Sequence, residues 1–255
     1  MSKAILNYDV FLGNSKKRLL IKLFFLLFYC ISGMKANAQY SIGLSTGLSI
    51  NHLTYNGYHN GIAITNGTGS SYILILKRNL SQTLSLDLNP GVVQKNYFLT
   101  NQNGIQQKII NDYLNVPLML SYNPKLFNGF SGVFSLGAYS AYWLSSKIKG
   151  QLPNVFESGT SANGTDIIQL DKVNSNYQFN KASDQRIEYG PASSVALHYN
   201  LTRHIDLSTI FQFFYSLSSM QKKRYIEPVS QRNITQLYNL GIIYHLNNTN
   251  YNVNN

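Results

Sequence analysis

Residues 40–51, YSIGLSTGLSIN, alternate without a break. Tyr40, Ile42, Leu44, Thr46, Leu48 and Ile50 share one parity; Ser41, Gly43, Ser45, Gly47, Ser49 and Asn51 share the other. A period of two predicts a β-strand with one apolar face and one small, polar face. The same alternation runs through 112–123, 187–201, 204–218 and 236–246. In 204–218 it sets Ile205, Leu207, Thr209, Phe211, Phe213 and Tyr215 against Asp206, Ser208, Ile210, Gln212 and Phe214. Less clean strands are predicted over 71–78, 83–93 and 130–146, which makes eight. Each is near the roughly 9–11 residues that cross a bilayer when tilted.

The connections set the topology. Short ones at 79–82, 124–129 and 202–203 alternate with long ones at 52–70, 94–111, 147–186 and 219–233. Tight turns at one end and long loops at the other are the pattern of an outer-membrane barrel. An even strand count also returns both termini to the periplasmic side. The expected fold is all-β: an eight-stranded antiparallel up-and-down transmembrane β-barrel over 39–246. A soluble eight-stranded barrel would bury the apolar face and show charge outside. Here the alternate face of the first strand is Ser and Gly, too small to fill a soluble core, so lipid is the expected solvent of the apolar face. Pro90, Pro117 and Pro191 fall inside strands. A closed barrel has no free edge to host them, so each is expected to mark a bulge or a strand end.

Ahead of the strands, Lys16, Lys17 and Arg18 precede an apolar run over 19–33, and Ala36-Asn37-Ala38 follows it. This order of basic, apolar and small residues predicts a secretory signal peptide over 1–38. Lys22 interrupts the run, which falls short of the roughly 20 apolar residues a spanning helix needs. Cys30, the only cysteine, lies inside it behind bulky Leu27, Phe28 and Tyr29, where a lipid-acceptor cysteine wants small neighbours. The mature chain is therefore expected to lack thiols, disulfides and Cys metal ligands. The whole chain carries a net +11. Lys3, Lys16, Lys17, Arg18, Lys22, Lys35 and Asp9 leave with the leader, so 21 Lys+Arg fall to 15 and 10 Asp+Glu fall to 9, a balance of +6. That balance, on an exported protein, predicts no nucleic-acid partner. Charged residues are 12% and aromatic residues 13%. Soluble domains carry about 25% charge, and so low a share again fits a membrane barrel.

Candidate chemistry is sparse. GLSTG (43–47) spells the G-x-S-x-G of a hydrolase nucleophile elbow, but no helix-periodic segment follows it, so Ser45 is read as one polar strand position. His52, His59, His198, His204 and His245 show no metal-ligand spacing, and neither a metal nor a cofactor is expected. His204 and Asp206 invite a triad with Ser45; lumen side chains pairing with each other is the commoner outcome. A polar lumen network is expected instead, with Asp87, Glu188 and Asp206 inward and Lys95, Arg186 and the histidines as partners. Eight strands leave an interior just wide enough for side chains, which argues against a diffusion pore. The connection 147–186 is too long for a mere turn and is the expected partner surface. Lys222, Lys223 and Arg224 in the last long loop are expected to contact phosphates of the outer leaflet. An Asn-rich polar tail, 247–255, closes the chain.

With the strands laid out, the chain resembles the PorT-like outer-membrane β-barrel family of Bacteroidetes. The resemblance rests on IGLSTGLSIN (42–51), YLNVPLMLSYNP (113–124), LGAYSAYWL (136–144) and LYNLGIIYHL (237–246). The most specific part, Tyr113-Leu114-x-Val116-Pro117-Leu118, is similar to that family's Tyr-Leu-x-Ile-Pro-Leu strand, which would make Pro117 a family trait. Ser121 stands where the family often has Lys, Ser193 and Ser194 replace glycines, and the tail departs from the usual aromatic ending. The resemblance implies an outer-membrane protein without catalytic residues, in some members part of a protein secretion or gliding assembly. Its partners would be outer-membrane lipid and lipopolysaccharide, and other envelope proteins. A small-solute channel and a lipid-active enzyme are the alternatives. N-terminal sequencing of the membrane-extracted protein is expected to begin at Gln39 or its cyclised form; a start at Cys30 carrying lipid would refute the leader as read.

Overall fold

The structure, a computed structural model, describes residues 40–56, 61–101, 105–127, 129–160, 166–222 and 230–246. The leader 1–38 and the tail 247–255 lie outside the described residues. Twelve strands form one antiparallel sheet. They are β1 (Tyr40–Asn56), β2 (Ile62–Asn79), β3 (Leu84–Leu88), β4 (Gly91–Gln94), β5 (Tyr97–Asn101), β6 (Gln106–Tyr122), β7 (Lys125–Phe127), β8 (Phe130–Thr160), β9 (Asp166–Asn176), β10 (Ile187–Asn200), β11 (Ile205–Tyr215) and β12 (Ser230–His245).

Strands β3, β4 and β5 are three pieces of one course between β2 and β6. Counted so, the wall is a ring of eight: β1, β2, the split course, β6, β8, β10, β11 and β12, each paired with its neighbours. The ring closes along a seam between β1 and β12, from Ser41↔His245 to Asn56↔Ser230. At the seam the two backbones come close. A Cβ on Gly47 would lie 1.9 Å from the Tyr238 carbonyl oxygen, so only glycine fits.

Alternation sorts the side chains as the pattern predicted. Leu44, Leu48, Tyr72, Leu136 and Leu240 point outward and are 62–72% exposed, while Ser41, Ser45, Ser49 and Asn51 are buried in the lumen. No outward position carries a charge from Ile42 to Ile50 on β1, Leu114 to Tyr122 on β6, Phe134 to Leu144 on β8, Ile187 to Tyr199 on β10, Ile205 to Tyr215 on β11 or Tyr238 to Tyr244 on β12. Tyr40 to Ile50 spans about 25 Å along the barrel axis, at about 3.3 Å per residue and about 40° of tilt. This matches the hydrocarbon thickness that transmembrane barrels cover. Tyr122, Tyr199 and Tyr244 mark the belt near the short turns, and Tyr142, Tyr189 and Tyr215 mark it near the opposite end. An apolar exterior around a polar interior is the inverse of a soluble barrel, and the chain is a transmembrane β-barrel.

The long connections differ from the loops expected of them. Much of 52–70 and 147–186 is strand: β1 and β2 continue past the belt, and β8 runs on to pair with β9 as a raised hairpin. The change of partner follows a bulge. Asp112 pairs with Ser145 and Tyr113 with Trp143, leaving Leu144 as the extra residue. Below the bulge β8 pairs with β10 up to Ile187↔Tyr142; above it β9 takes that side, beginning at Lys147↔Asn176.

The three prolines sit where the ladder is interrupted. Pro90 lies in the gap between β3 and β4. Pro117 faces that gap from β6, its carbonyl accepting from the Asn89 N–H at 3.2 Å. In an antiparallel pair a residue's N and O point to the same side, so the N–H that Pro117 lacks falls at the gap. Pro191 stands just past Ala192↔Phe214, the last pair of the β10–β11 ladder. The second break in the split course, at Lys95-Asn96, is filled by a side chain: Asn96 Nδ2 donates to the Thr68 carbonyl at 2.8 Å, and Asn96 Oδ1 accepts from the Asn111 N–H at 3.2 Å.

Leu240→Arg, in the middle of the outward belt, is expected to destabilise by about 2–4 kcal/mol in urea unfolding from lipid vesicles. Gln82→Arg, in an exposed turn, is expected to stay within about 0.5 kcal/mol. Equal costs at the two positions would mean that the belt does not face lipid.

Candidate functional site

Among the described residues within the belt, charge is concentrated in the lumen, and its polar residues fall into two groups. The first is a collar near the short turns. Inward positions on successive strands bring together Asp206 (β11), His245 (β12), Ser41 (β1), Lys77 (β2) and Asp87 (β3), with Ser41 registered against both His245 and Lys77, and Lys77 against Asp87. His245 Nε2 is 2.8 Å from Asp206 Oδ2, and Ser41 Oγ is 2.8 Å from His245 Nδ1. An imidazole that gives its Nε2–H to the carboxylate accepts the hydroxyl's hydrogen at Nδ1. Asp87 accepts from Ser85 Oγ at 2.9 Å and Ser121 Oγ at 2.6 Å. Lys77 donates to Asn123 Oδ1 at 2.6 Å and lies within electrostatic reach of Asp87 and Asp206.

The second group sits higher, around a buried ion pair. Lys95 is fully buried, its Nζ 2.5 Å from Glu188 Oε1. The same oxygen accepts from Tyr139 Oη at 2.6 Å, and Glu188 Oε2 accepts from Asn233 Nδ2 at 2.7 Å. Asn233 Oδ1 in turn accepts from Asn51 at 3.0 Å, whose own carbonyl accepts from Thr235 at 2.8 Å. The ammonium also lies over the rings of Tyr113 and Tyr139, at 4.7 and 5.2 Å. A charge this far from water needs such complete partnering, because desolvating each ion costs several kcal/mol.

Above the pair the lumen is filled by rings. Tyr113 stacks on Trp143 at 5.8 Å, and Trp143 on Tyr177 at 6.0 Å, with Phe179 edge-on to Trp143 at 4.9 Å. Tyr177 and Phe179 belong to the segment between β9 and β10, which folds over this end. Asp184 fixes it by accepting from Tyr177 Oη at 3.1 Å and the Asn180 N–H at 2.7 Å. Desolvation, and then this hydrogen bond and the charge of Asp184, raise the Tyr177 phenol above its ordinary range. Between collar and ion pair, Ser45 Oγ, Ser208 Oγ, Gln212 Oε1 and both polar atoms of Asn115 have no hydrogen-bond partner within the described protein.

Of the lumen residues expected from sequence, Lys95 and Glu188 are brought together, Asp206 meets His245, and Asp87 is held by serines. Arg186 is not brought to a lumen carboxylate. The Leu144 bulge leaves carbonyls facing it, and the guanidinium donates to Trp143 O at 2.7 Å and Leu144 O at 3.2 Å while lying over Phe179 at 4.1 Å. Ser45 and His204 do not meet either: His204 stacks on the outward Tyr244 at 6.0 Å. Lys222 donates to the Lys181 carbonyl at the rim, and Lys223 and Arg224 lie outside the described residues. Ser41 and Lys77 were not singled out by the sequence. Their signal is only that each falls on the lumen parity one rung from the strand end.

No protein-family model and no curated protein matches the chain. Solved structures of similar fold are outer-membrane β-barrels. OprG from Pseudomonas aeruginosa has a TM-score of 0.46 at 10% identity, over 80% of this chain and 95% of that one. Neisserial surface protein A has a TM-score of 0.40 at 10% identity, over 82% and 99%. The outer membrane protease OmpT from Escherichia coli has a TM-score of 0.47 at 9% identity, over 81% and 96%. At such identities the likeness is one of fold alone.

Glu188→Gln strips Lys95 of its counter-charge and is expected to cost about 3–5 kcal/mol in urea unfolding from vesicles. Lys95→Met combined with Glu188→Gln is expected to recover a large part of that loss. Strictly additive costs would show that the pair does not act as a unit.

Proposed function

We propose that the chain is a non-enzymatic outer-membrane barrel, a structural or interaction component that carries the β8–β9 hairpin and its neighbouring loops outside the cell. The single observation that carries this reading is the division of the wall. Its lower part is an uncharged belt around a side-chain-filled lumen, and its upper part continues past the belt as polar strand. A protein built to pass solutes would not fill its lumen with Trp143, Tyr113 and a buried ion pair. The Ser41–His245–Asp206 chain is read as a brace across β12. Ladder pairing on both flanks of Ser41 uses the nearby backbone N–H groups, so no pair of donors converges beside its Oγ as acyl transfer requires. The resemblance to PorT-like barrels supports placing the protein beside a secretion or gliding assembly, with other envelope proteins as partners of the hairpin.

A solute path is the second reading, favoured by the unpartnered polar atoms of Ser45, Ser208, Gln212 and Asn115, which a hydrated lumen would satisfy. One set of measurements separates the two. The purified barrel is expected to give no steady single-channel conductance, and shortening the hairpin beyond Gln151 is expected to leave folding intact while abolishing envelope proteins captured from membranes. On whole cells, a membrane-impermeant thiol label is expected to reach Thr160→Cys and to miss Thr202→Cys. Steady conductance would favour the channel, and the reverse labelling would invert the topology.

A further inference from the structure

The outer wall just above the belt carries a patch of lysines that the lumen's chemistry leaves without counter-charge. Paired residues in a ladder share a face, so the register places these side chains. Lys108 on β6 is directly opposite Lys149 on β8, and Lys147 follows one step down the same face, opposite Ile110. On β9, Lys172 is opposite Gln151 and so joins that face beside Lys149. The inward parity of β6 is fixed by buried Ile109 and Tyr113, which puts Lys108, and with it Lys149 and Lys147, outside. Lys108 also rests its ammonium 5.6 Å from the ring of Phe98, its ladder partner on β5.

Like charges directly opposite each other weaken a ladder, and the other residues registered against the four lysines, Phe98, Ile110, Gln151, Asn174 and Asn176, include no acid. Neither of the two salt bridges there involves any of the four lysines. Of the acids nearby, Asp171 beside Lys172 is registered against Leu152 and so has the opposite parity on β9. Glu188, Asp206 and Asp87 are inside the barrel, and Asp184 is under the aromatic cover. Asp112, the one acid on this face of β6, accepts from Ser145 Oγ at 2.6 Å and Gln94 Nε2 at 3.1 Å, and its single charge offsets at most one of the four ammonium groups.

The height of the patch says what could relieve it. Leu144 is the last apolar outward residue on β8 before Lys147. Lys147 and Lys149 then stand about 8 and about 13 Å above it along the barrel axis, at the rise and tilt used for the belt. That is the headgroup layer, and a lysine stem can reach several ångströms down into it. Headgroup phosphates are anionic there, and three or four ammonium groups on one flat wall can converge on them with charge-assisted hydrogen bonds.

We infer that Lys108, Lys147, Lys149 and Lys172 form a binding site for the phosphates of outer-leaflet lipid, on the outer wall of β6, β8 and β9. The inference rests on the outer-membrane reading above and gives it a partner surface on the barrel wall. The site holds lipid A phosphate by charge, fastens the barrel at a fixed height and leaves the hairpin standing clear of the headgroups.

The test uses the whole chain as purified from membranes, reconstituted in phosphatidylcholine nanodiscs doped with either bisphosphorylated lipid A or its dephosphorylated form. The lipid retained after detergent extraction is then quantified by mass spectrometry. Wild type is expected to retain the phosphorylated form about tenfold over the other, and K108Q/K147Q/K149Q/K172Q to lose that preference. The matching four-arginine variant should keep it, which separates charge from damage to the fold; heat-modifiable migration on gels checks folding in each. Retention unchanged in the glutamine variant overturns the inference and leaves the membrane barrel standing. So does equal retention of the two lipids by wild type, or an arginine variant that folds but behaves like the glutamine one. A chain that enters no bilayer overturns the membrane reading and the inference together.

Discussion

A strand in hydrocarbon has no water to complete its hydrogen bonds, and the structure depends on that constraint. Each backbone N–H and C=O inside the belt needs a neighbour, and a sheet meets the demand only by closing on itself. The seam between β1 and β12 is therefore a requirement of the solvent as much as a feature of topology. The same demand explains where irregularity is tolerated. Pro117 offers no N–H, and the wall answers with a break at Asn89-Pro90 on the side where that N–H would have pointed. Where the split course breaks again, the Asn96 carboxamide serves both neighbouring backbones in place of a peptide group. The ladder is incomplete at several points; at one a residue unable to pair faces the gap, and at another a side chain fills it.

Closure with the apolar face outward forces the remaining residues inward, and the lumen becomes the protein's core. Such a core is filled by polar groups that must satisfy each other. Lys95 and Glu188 are the extreme case, with a carboxylate taking three donors and an ammonium set between two phenol rings. Breaking one member leaves the other charge stranded, which is why the pair constrains the barrel more strongly than its net contribution to stability would suggest. The collar of Asp206, His245, Ser41, Lys77 and Asp87 plays the same part near the turns, at smaller cost because it is nearer water.

How much of this could be read from the sequence follows from the physics of each part. Strands with one face in lipid and one in the lumen have period-two patterns, and β1, β6, β10, β11 and β12 were legible for that reason. Above the belt both faces can meet water, the alternation fades, and the continuation of β8 past Lys147 reads as a loop. The inward parity of Glu188 was legible and Lys95 was named among its candidate partners, but their meeting was not, since it joins residues 93 apart in the chain through the shape of the ring. Arg186 was misplaced because one bulged residue, Leu144, redirects the local backbone, and nothing in SAYWLSS announces a bulge. Lys77 was hidden by SYILILK, where Ile73 and Ile75 turn inward and Leu74 and Leu76 outward, so that neither face looks polar. The G-x-S-x-G stretch lies on a strand, as its alternation predicted: Ser45 is a lumen hydroxyl beside glycines that let β1 and β12 approach.

The seam has a kinetic side as well. Ser41 and His245 are 204 residues apart, nearly the full length of the described chain, whereas the widest pairing in the other ladders reaches only from Phe130 to Tyr199. The entropy of bringing two ends together grows with the length between them. Contacts of this separation are the slowest to form in folding chains. Until they do, β1 and β12 are open edges, each able to pair with a strand of another molecule. The last step of assembly is thus the one most exposed to error, and the glycines at the seam lower its steric barrier without lowering its entropic one. A barrel of this kind is secure once shut, and its vulnerability is concentrated in the interval before the first strand meets the last.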